Sequence, residues 1–253
     1  MPRRRREWVR GACYHITHRC HNREFRFRFE KYRRMYRQYL FEATQRYHVR
    51  ILTWMVTSNH IHLLLTGGER GRPAISEALQ YVHGETAEHY NLTRNCEGSF
   101  WSNRFHATRI QDGGHLGRCL FYIDLNMVRA GVVSHPSEWA YGSWAELVGA
   151  RRRYRIIDLD TLLNRLRMTD ADRFALWYRR TLDDILCQRE SALLRRQAFY
   201  SSAIAVGDED WPSTVASRLD TKRYKIHPGP EPIPALGILK TSFLGRETGS
   251  KGT

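Results

Sequence analysis

Residues 50–66, RILTWMVTSNHIHLLLT, constrain this chain more than any other stretch. Two apolar runs are split by the short polar turn Ser58-Asn59, and strands so divided make a β-hairpin. The flanking segments have a different period. Residues 30–47, EKYRRMYRQYLFEATQRY, place Tyr32, Met35, Tyr36, Tyr39, Leu40 and Ala43 at helical spacing, with arginines on the outer face. A second helix is expected from about Ile75 to Asn91, with Ser76 or a neighbour as its cap. ACYHITH at 12–18 suits a strand. FWSNRFHATRI at 100–110 ends in another. Gly113 and Gly114 precede a helix from about His115 to Arg129, which Gly131 closes as a C-cap.

The resulting order, β-α-β-β-α-β-α, is the split βαβ, ferredoxin-like pattern: an α+β fold whose antiparallel sheet carries its helices on one face. This domain is expected over residues 1–150, closed by a Trp-rich segment at 134–149. The character changes after Gly149. Residues 156–200 have amphipathic helical spacing, so 151–227 reads as a helical, basic C-terminal region. Four of the eight prolines fall within 228–234, and 228–253 is expected to be a disordered tail.

The net charge of +15 speaks about partners. Residues 1–50 alone carry net +11, and a second basic run stands at Arg151, Arg152, Arg153 and Arg155. Only five of the 41 basic residues are lysine. Arginine forks grip phosphate in bidentate fashion and stack on bases. A coding bias would explain arginine over lysine, but not the excess of positive over negative. A polyanion is the natural partner. No 18-residue apolar run exists, so no membrane span is expected. The start, MPRRRREWVR, is not a secretory signal. The five cysteines form no CxxC pair, which supports neither a zinc ribbon nor a disulfide framework. The reading is a soluble protein of a reducing compartment.

Three constellations could carry chemistry. His60 and His62, two apart on a strand, project to one face and could chelate a divalent metal; alone, they read more readily as two unrelated polar histidines. Tyr122 and Asn126, four apart on a helix, share a face. A tyrosine hydroxyl is a nucleophile once a metal polarises its target, and an amide oxygen suits Mg²⁺ or Mn²⁺. Tyr122 alone would more often be a core aromatic beside Phe121. Trp101, Arg104, Phe105 and Arg109 put rings beside cations, which suits single-stranded nucleic acid; a buried aromatic anchor beside surface arginines is the equal alternative.

Together YHITHRCHNREFRF, TSNHIHLLL, GSFWSNRF, FYIDLNMVRAGVV and SEWAYGSWAEL resemble the REP-associated tyrosine transposases, a branch of the single-tyrosine HUH transposases of bacterial and archaeal insertion sequences. The resemblance covers about residues 8–149. It implies a metal-dependent single-strand endonuclease and strand transferase. Tyr122 matches the nucleophile, and His60, His62 and Asn126 match the metal-site positions for Mg²⁺ or Mn²⁺. The implied substrate is single-stranded DNA with an imperfect palindromic hairpin, cut through a 5′-phosphotyrosine by a monomer or homodimer. Arg3, Arg4, Arg5, Arg6, Arg129, Arg151, Arg152 and Arg153 are expected on DNA with Trp101, Arg104, Phe105 and Arg109.

Two positions depart from the family. Met127 replaces the usual proline after the asparagine, which would leave the helix straighter. Ser102-Asn103 replaces Gln-Gly before Arg104-Phe105. His15, His18 and His21 are expected outside the catalytic site. The competing readings are a hairpin-binding regulator without cleavage and, more remotely, a two-histidine phosphoesterase built on His15-Ile16-Thr17 and His106-Ala107-Thr108.

Overall fold

A computed structural model describes residues 8–67, 72–188, 190–208 and 211, with the backbone alone for 72–73 and 226–228. The arm at Arg3–Arg6 and the tail from 229 lie outside the described residues. The chain runs β1 (Cys13–Arg19), α1 (Glu30–Tyr47), β2 (Arg50–Val56), β3 (His60–Thr66), α2 (Arg72–Arg94), β4 (His106–Ile110), α3 (Gly114–Asp124), α4 (Asn126–Arg129), α5 (Trp144–Leu147), α6 (Leu159–Leu166), α7 (Ala171–Cys187), β5 (Ala205–Gly207) and β6 (Ile226–Pro228). The sheet order is β2-β3-β1-β4-β5-β6. The first four strands are all antiparallel, as the split βαβ pattern requires. The sequence reading had no strand after β4, yet β5 and β6 add two parallel strands and make the sheet mixed. Three-residue strands are too short to show a period of two.

The crossover helices share one face. Tyr32, Tyr36, Leu40 and Ala43 of α1 are its buried stripe. Tyr36 meets His83 of α2, and His83 meets His18 of β1. The other face of β1 carries His15, whose ring lies 6.3 Å from that of Tyr122 on α3. With helices on both sides, the centre of the sheet is enclosed. That is why Ile61, Leu63, Leu64 and Leu65 run almost without interruption instead of alternating with polar residues.

Helix α2 starts at Arg72, earlier than expected. Pro73 tolerates the first turn because its missing N–H has no partner there anyway. Ser76 is therefore inside the helix, where its hydroxyl accepts from the Trp8 indole at 2.9 Å. Gly131 has φ +67° and closes the site helices as expected. The bond from Val132 N–H to the Met127 carbonyl, 3.1 Å, completes that C-cap. Further on, Asp158 and Asp170 cap α6 and α7 through Thr161 and Arg173 N–H. All five cysteines are free, and among the described residues no helix is long and apolar enough to cross a membrane.

Candidate active site

The tight turn that joins β2 to β3 also orients the first histidine. Thr57 N–H donates to the His60 carbonyl at 3.0 Å, and the Thr57 hydroxyl donates to the same carbonyl at 2.8 Å. His60 Nδ1 lies 2.9 Å from Thr57 Oγ1 and 2.7 Å from Asn59 Oδ1. Asn59 Nδ2 is committed to the Arg23 carbonyl, so it is the amide oxygen that faces His60. Acceptors on that side require the hydrogen on Nδ1 and leave Nε2 as a bare lone pair.

His62, on the same face of β3, has its ring 4.8 Å from that of His60. Its Nδ1 lies 2.8 Å from His15 Nε2 and its Nε2 lies 2.9 Å from Asn126 Nδ2. Burial pushes the His60 imidazole down to about 3 and holds His62 well below the usual histidine range; the charges of Arg19 and Arg129 act in the same sense. Both rings are therefore neutral, the form that can ligate a metal.

Tyr122 lies edge-on to His62, ring centres 6.3 Å apart. It is 5% exposed. Burial raises its hydroxyl pKa, while Arg129, Arg196 and the backbone of Gln197 oppose the rise. Arg129 holds its guanidinium 4.1 Å from the Tyr122 ring centre. Its Nη2 donates to the Tyr122 carbonyl at 2.6 Å and its Nη1 to the Leu193 carbonyl at 3.1 Å. This guanidinium stands where the helical ladder is interrupted at Leu125, φ −77° and ψ 4°. The straighter helix expected from Met127 is thus not found. An inserted side chain bends a helix as proline does, and Met127 itself is core.

The other face of α3 is anchored by Asp124. It accepts from Tyr178 at 2.6 Å and Ser143 at 2.7 Å, and Ser143 in turn pairs with Thr53 of β2. Burial raises the Asp124 carboxyl to about 6 against these hydrogen bonds. The network fixes the height of Tyr122 over the sheet.

His60, His62, Tyr122 and Asn126 converge as their spacing predicts. Among the described residues no three His, Cys, Asp or Glu side chains gather as metal ligands. The donor set is thus two imidazoles and one carboxamide, which also has an acceptor oxygen. His60 Nε2 is unprotonated, and His62 Nε2 accepts from the Asn126 NH₂; with Asn126 turned to present its oxygen, the three suit a divalent cation that keeps positions for water and phosphate.

The expected DNA contacts divide. Trp101 is enclosed at 8% exposure, stacked 4.1 Å from His18, and its indole donates to the His83 carbonyl at 3.0 Å. It is a core anchor and has no face free for a base. Phe105 is half-buried against Trp8 and His83. Arg109 lies over the Trp211 ring at 5.1 Å. Arg129, partly exposed, serves the tyrosine helix through a ring and two carbonyls. Arg104, Arg152 and Arg153 are exposed, while Arg151 lies 3.9 Å from Glu146.

Sequence reasoning missed three groups. His15, expected outside the site, is hydrogen-bonded to His62. Tyr200, from the C-terminal region, packs on Tyr122 at 4.4 Å and offers its carbonyl to His15 at 3.1 Å. Phe25 and Phe29 are exposed in the loop whose Phe27 N–H bonds Ser58 of the site turn. The alternation of Arg and Phe in HNREFRFRF is a signal that could have found the last pair.

The model of the family described as "Transposase IS200 like" matches residues 9–126. Among solved structures, a REP-associated tyrosine transposase bound to a REP hairpin is similar, with 22% identity, TM-score 0.49, 62% of this chain and 90% of that one. A candidate transposase from Deinococcus radiodurans R1 shares 14% identity, TM-score 0.31, 42% of this chain and 84% of that one. No curated protein matches the chain.

Proposed function

We propose, for a chain whose residues 9–126 match the IS200-like transposase family, a single-strand DNA endonuclease and strand transferase with Tyr122 as nucleophile. The observation that carries this reading is the convergence of Tyr122 with two neutral histidines and Asn126 in a site whose charges are arginines. Arg19 stands directly across the ladder from His60, so both side chains share a face. The cations acting on His60 are Arg19, Arg129 and Arg196. Such a site favours a phosphodiester.

The Tyr122 oxygen attacks phosphorus, the Oη–P bond forms and the P–O3′ bond breaks. The tyrosine proton leaves and the released 3′ oxygen takes one up, giving a 5′-phosphotyrosine and a 3′-OH. Attack by another 3′-OH reverses the step, so strands rejoin without ATP. Arg129 stabilises the phenolate that develops beneath it, and Asp124 keeps the helix seated. A divalent ion, Mg²⁺ or Mn²⁺, held by His60, His62 and Asn126 would withdraw charge from the phosphate. Phe25 and Phe29 take the place of Trp101 as stacking surfaces for unpaired bases. Arg104, Arg152 and Arg153 are candidates for phosphate contact.

The cover that Tyr200 lays over Tyr122 favours a second reading, hairpin binding without cleavage. One experiment separates them. Single-stranded oligonucleotides carrying imperfect hairpins are incubated with the protein and Mn²⁺, and denaturation-stable adducts are counted. The wild type forms an adduct, while Tyr122→Phe forms none and binds the hairpin normally. An adduct that persists in Tyr122→Phe removes this tyrosine from the reaction, and none in the wild type leaves a binding protein.

A further inference from the structure

His15 is fully buried and its ring lies parallel to that of His62, centres 5.1 Å apart. His15 Nδ1 is 3.1 Å from the Tyr200 carbonyl oxygen. A carbonyl only accepts, so Nδ1 of His15 carries the hydrogen. A neutral imidazole then has a bare Nε2, and this atom faces His62 Nδ1 at 2.8 Å. His62 must donate from Nδ1, and its own lone pair is on Nε2, the side of Asn126. One direction of donation thus runs from the site histidine to the main chain.

The far end of this relay is held independently. The single hydroxyl hydrogen of Thr108 on β4 is shared between the Tyr200 carbonyl at 3.1 Å and the Ala203 carbonyl at 2.8 Å. Both ring nitrogens of the fully buried His15 are matched, Nδ1 to the Tyr200 carbonyl and Nε2 to His62. The opposite tautomer of His62 would place an N–H where a ligand needs a lone pair. Metal-bound histidines are ordinarily held in register by a carboxylate or carbonyl on their other nitrogen. Here a second histidine is interposed, and the carbonyl comes from residue 200.

We propose that His15, locked by the Tyr200 carbonyl, is the positioning residue that fixes His62 as its Nδ1–H tautomer and so presents a bare Nε2 to a divalent cation. The cation is part of the reading given above, and the proposal rests on it. Its consequence is that the segment after residue 150 completes the site from the second layer.

The test uses the full chain with ¹⁵N-labelled histidine. Long-range proton–nitrogen correlations assign the protonated nitrogen of His62 without metal, and Mn²⁺ titration gives the affinity. The wild type shows His62 protonated at Nδ1. His15→Gln preserves this, since its amide oxygen accepts from His62 and its NH₂ donates to Tyr200. His15→Leu mixes the tautomers and weakens Mn²⁺ binding by about 10–100-fold, with circular dichroism verifying the fold. A folded His15→Leu that keeps both the tautomer and the affinity overturns the proposal, as does a wild type protonated at Nε2. If His15→Leu does not fold, the wild-type tautomer and its retention in His15→Gln decide. A wild type with the Nδ1–H tautomer but no DNA adduct defeats the nuclease reading and leaves the His15 assignment standing.

Discussion

Replacing Trp101 with alanine separates a core anchor from a base-stacking ring. The indole is 8% exposed, lies against His18, Phe27, Phe100 and His83, and donates to the His83 carbonyl at 3.0 Å. Truncating a buried aromatic costs about 3–5 kcal/mol. The deserted carbonyl adds on the order of 1 kcal/mol if water does not reach it. A loss of about 4–6 kcal/mol corresponds to a melting point roughly 8–24 °C lower for a chain of this size. Trp101→Phe keeps most of the ring and loses the N–H, and should cost about 1–2 kcal/mol. Urea unfolding measures both. Hairpin affinity is then determined at a temperature where each variant is folded and is expected to match the wild type. Unchanged unfolding midpoints combined with weaker hairpin binding would refute the argument and put the ring on DNA.

Other perturbations follow from the same contacts. Phe25 is 62% exposed, so Phe25→Ala should leave stability alone and weaken hairpin binding by about 1–3 kcal/mol with little change in salt dependence; equal affinity in a titration would exclude this ring from the interface. Arg152 and Arg153 are exposed. Changing each to alanine should lower the slope of log affinity against log salt by about one if it meets a phosphate, and an unaltered slope would place both in solvent. Asp124 has its carboxyl raised to about 6 from 3.8, so its protonation stabilises the fold fully below the unfolded value and is lost as pH climbs through 6. At 1.36 kcal/mol per unit this amounts to about 3 kcal/mol. The buried histidines work in the opposite sense, since their lowered values remove stability as pH falls towards 3. The test is therefore the difference in unfolding free energy between wild type and Asp124→Asn, which should change by about that amount between pH 4 and pH 7. A constant difference would show that the carboxyl titrates normally.

The four strands of the split βαβ unit and both crossover helices were legible because each carries a local signal. α1 repeats its buried tyrosines at helical spacing, and the β2–β3 hairpin is marked by two polar residues between apolar runs. Local spacing was also sufficient to bring His60 beside His62, and Tyr122 into line with Asn126. These are neighbours along one strand or one helix, where backbone geometry alone sets the direction of side chains.

What the sequence could not determine are the contacts between elements far apart in the chain. Trp101 and Phe105 sit beside arginines whether they are core or interface, and only the packing of His18, His83 and Phe27 around Trp101 decides which. Where α3 gives way to α4 at Leu125, the Tyr122 carbonyl is taken by the Arg129 guanidinium, a contact that proline spacing did not reveal. His15 lies 47 residues from His62 and 185 from Tyr200. No periodicity links positions so remote. The sequence by itself determined which residue types could act and which faces they shared; the tertiary structure decided which lone pair each histidine offers, because a tautomer is chosen by the hydrogen-bond partner on the ring's other side and that partner arrives only on folding.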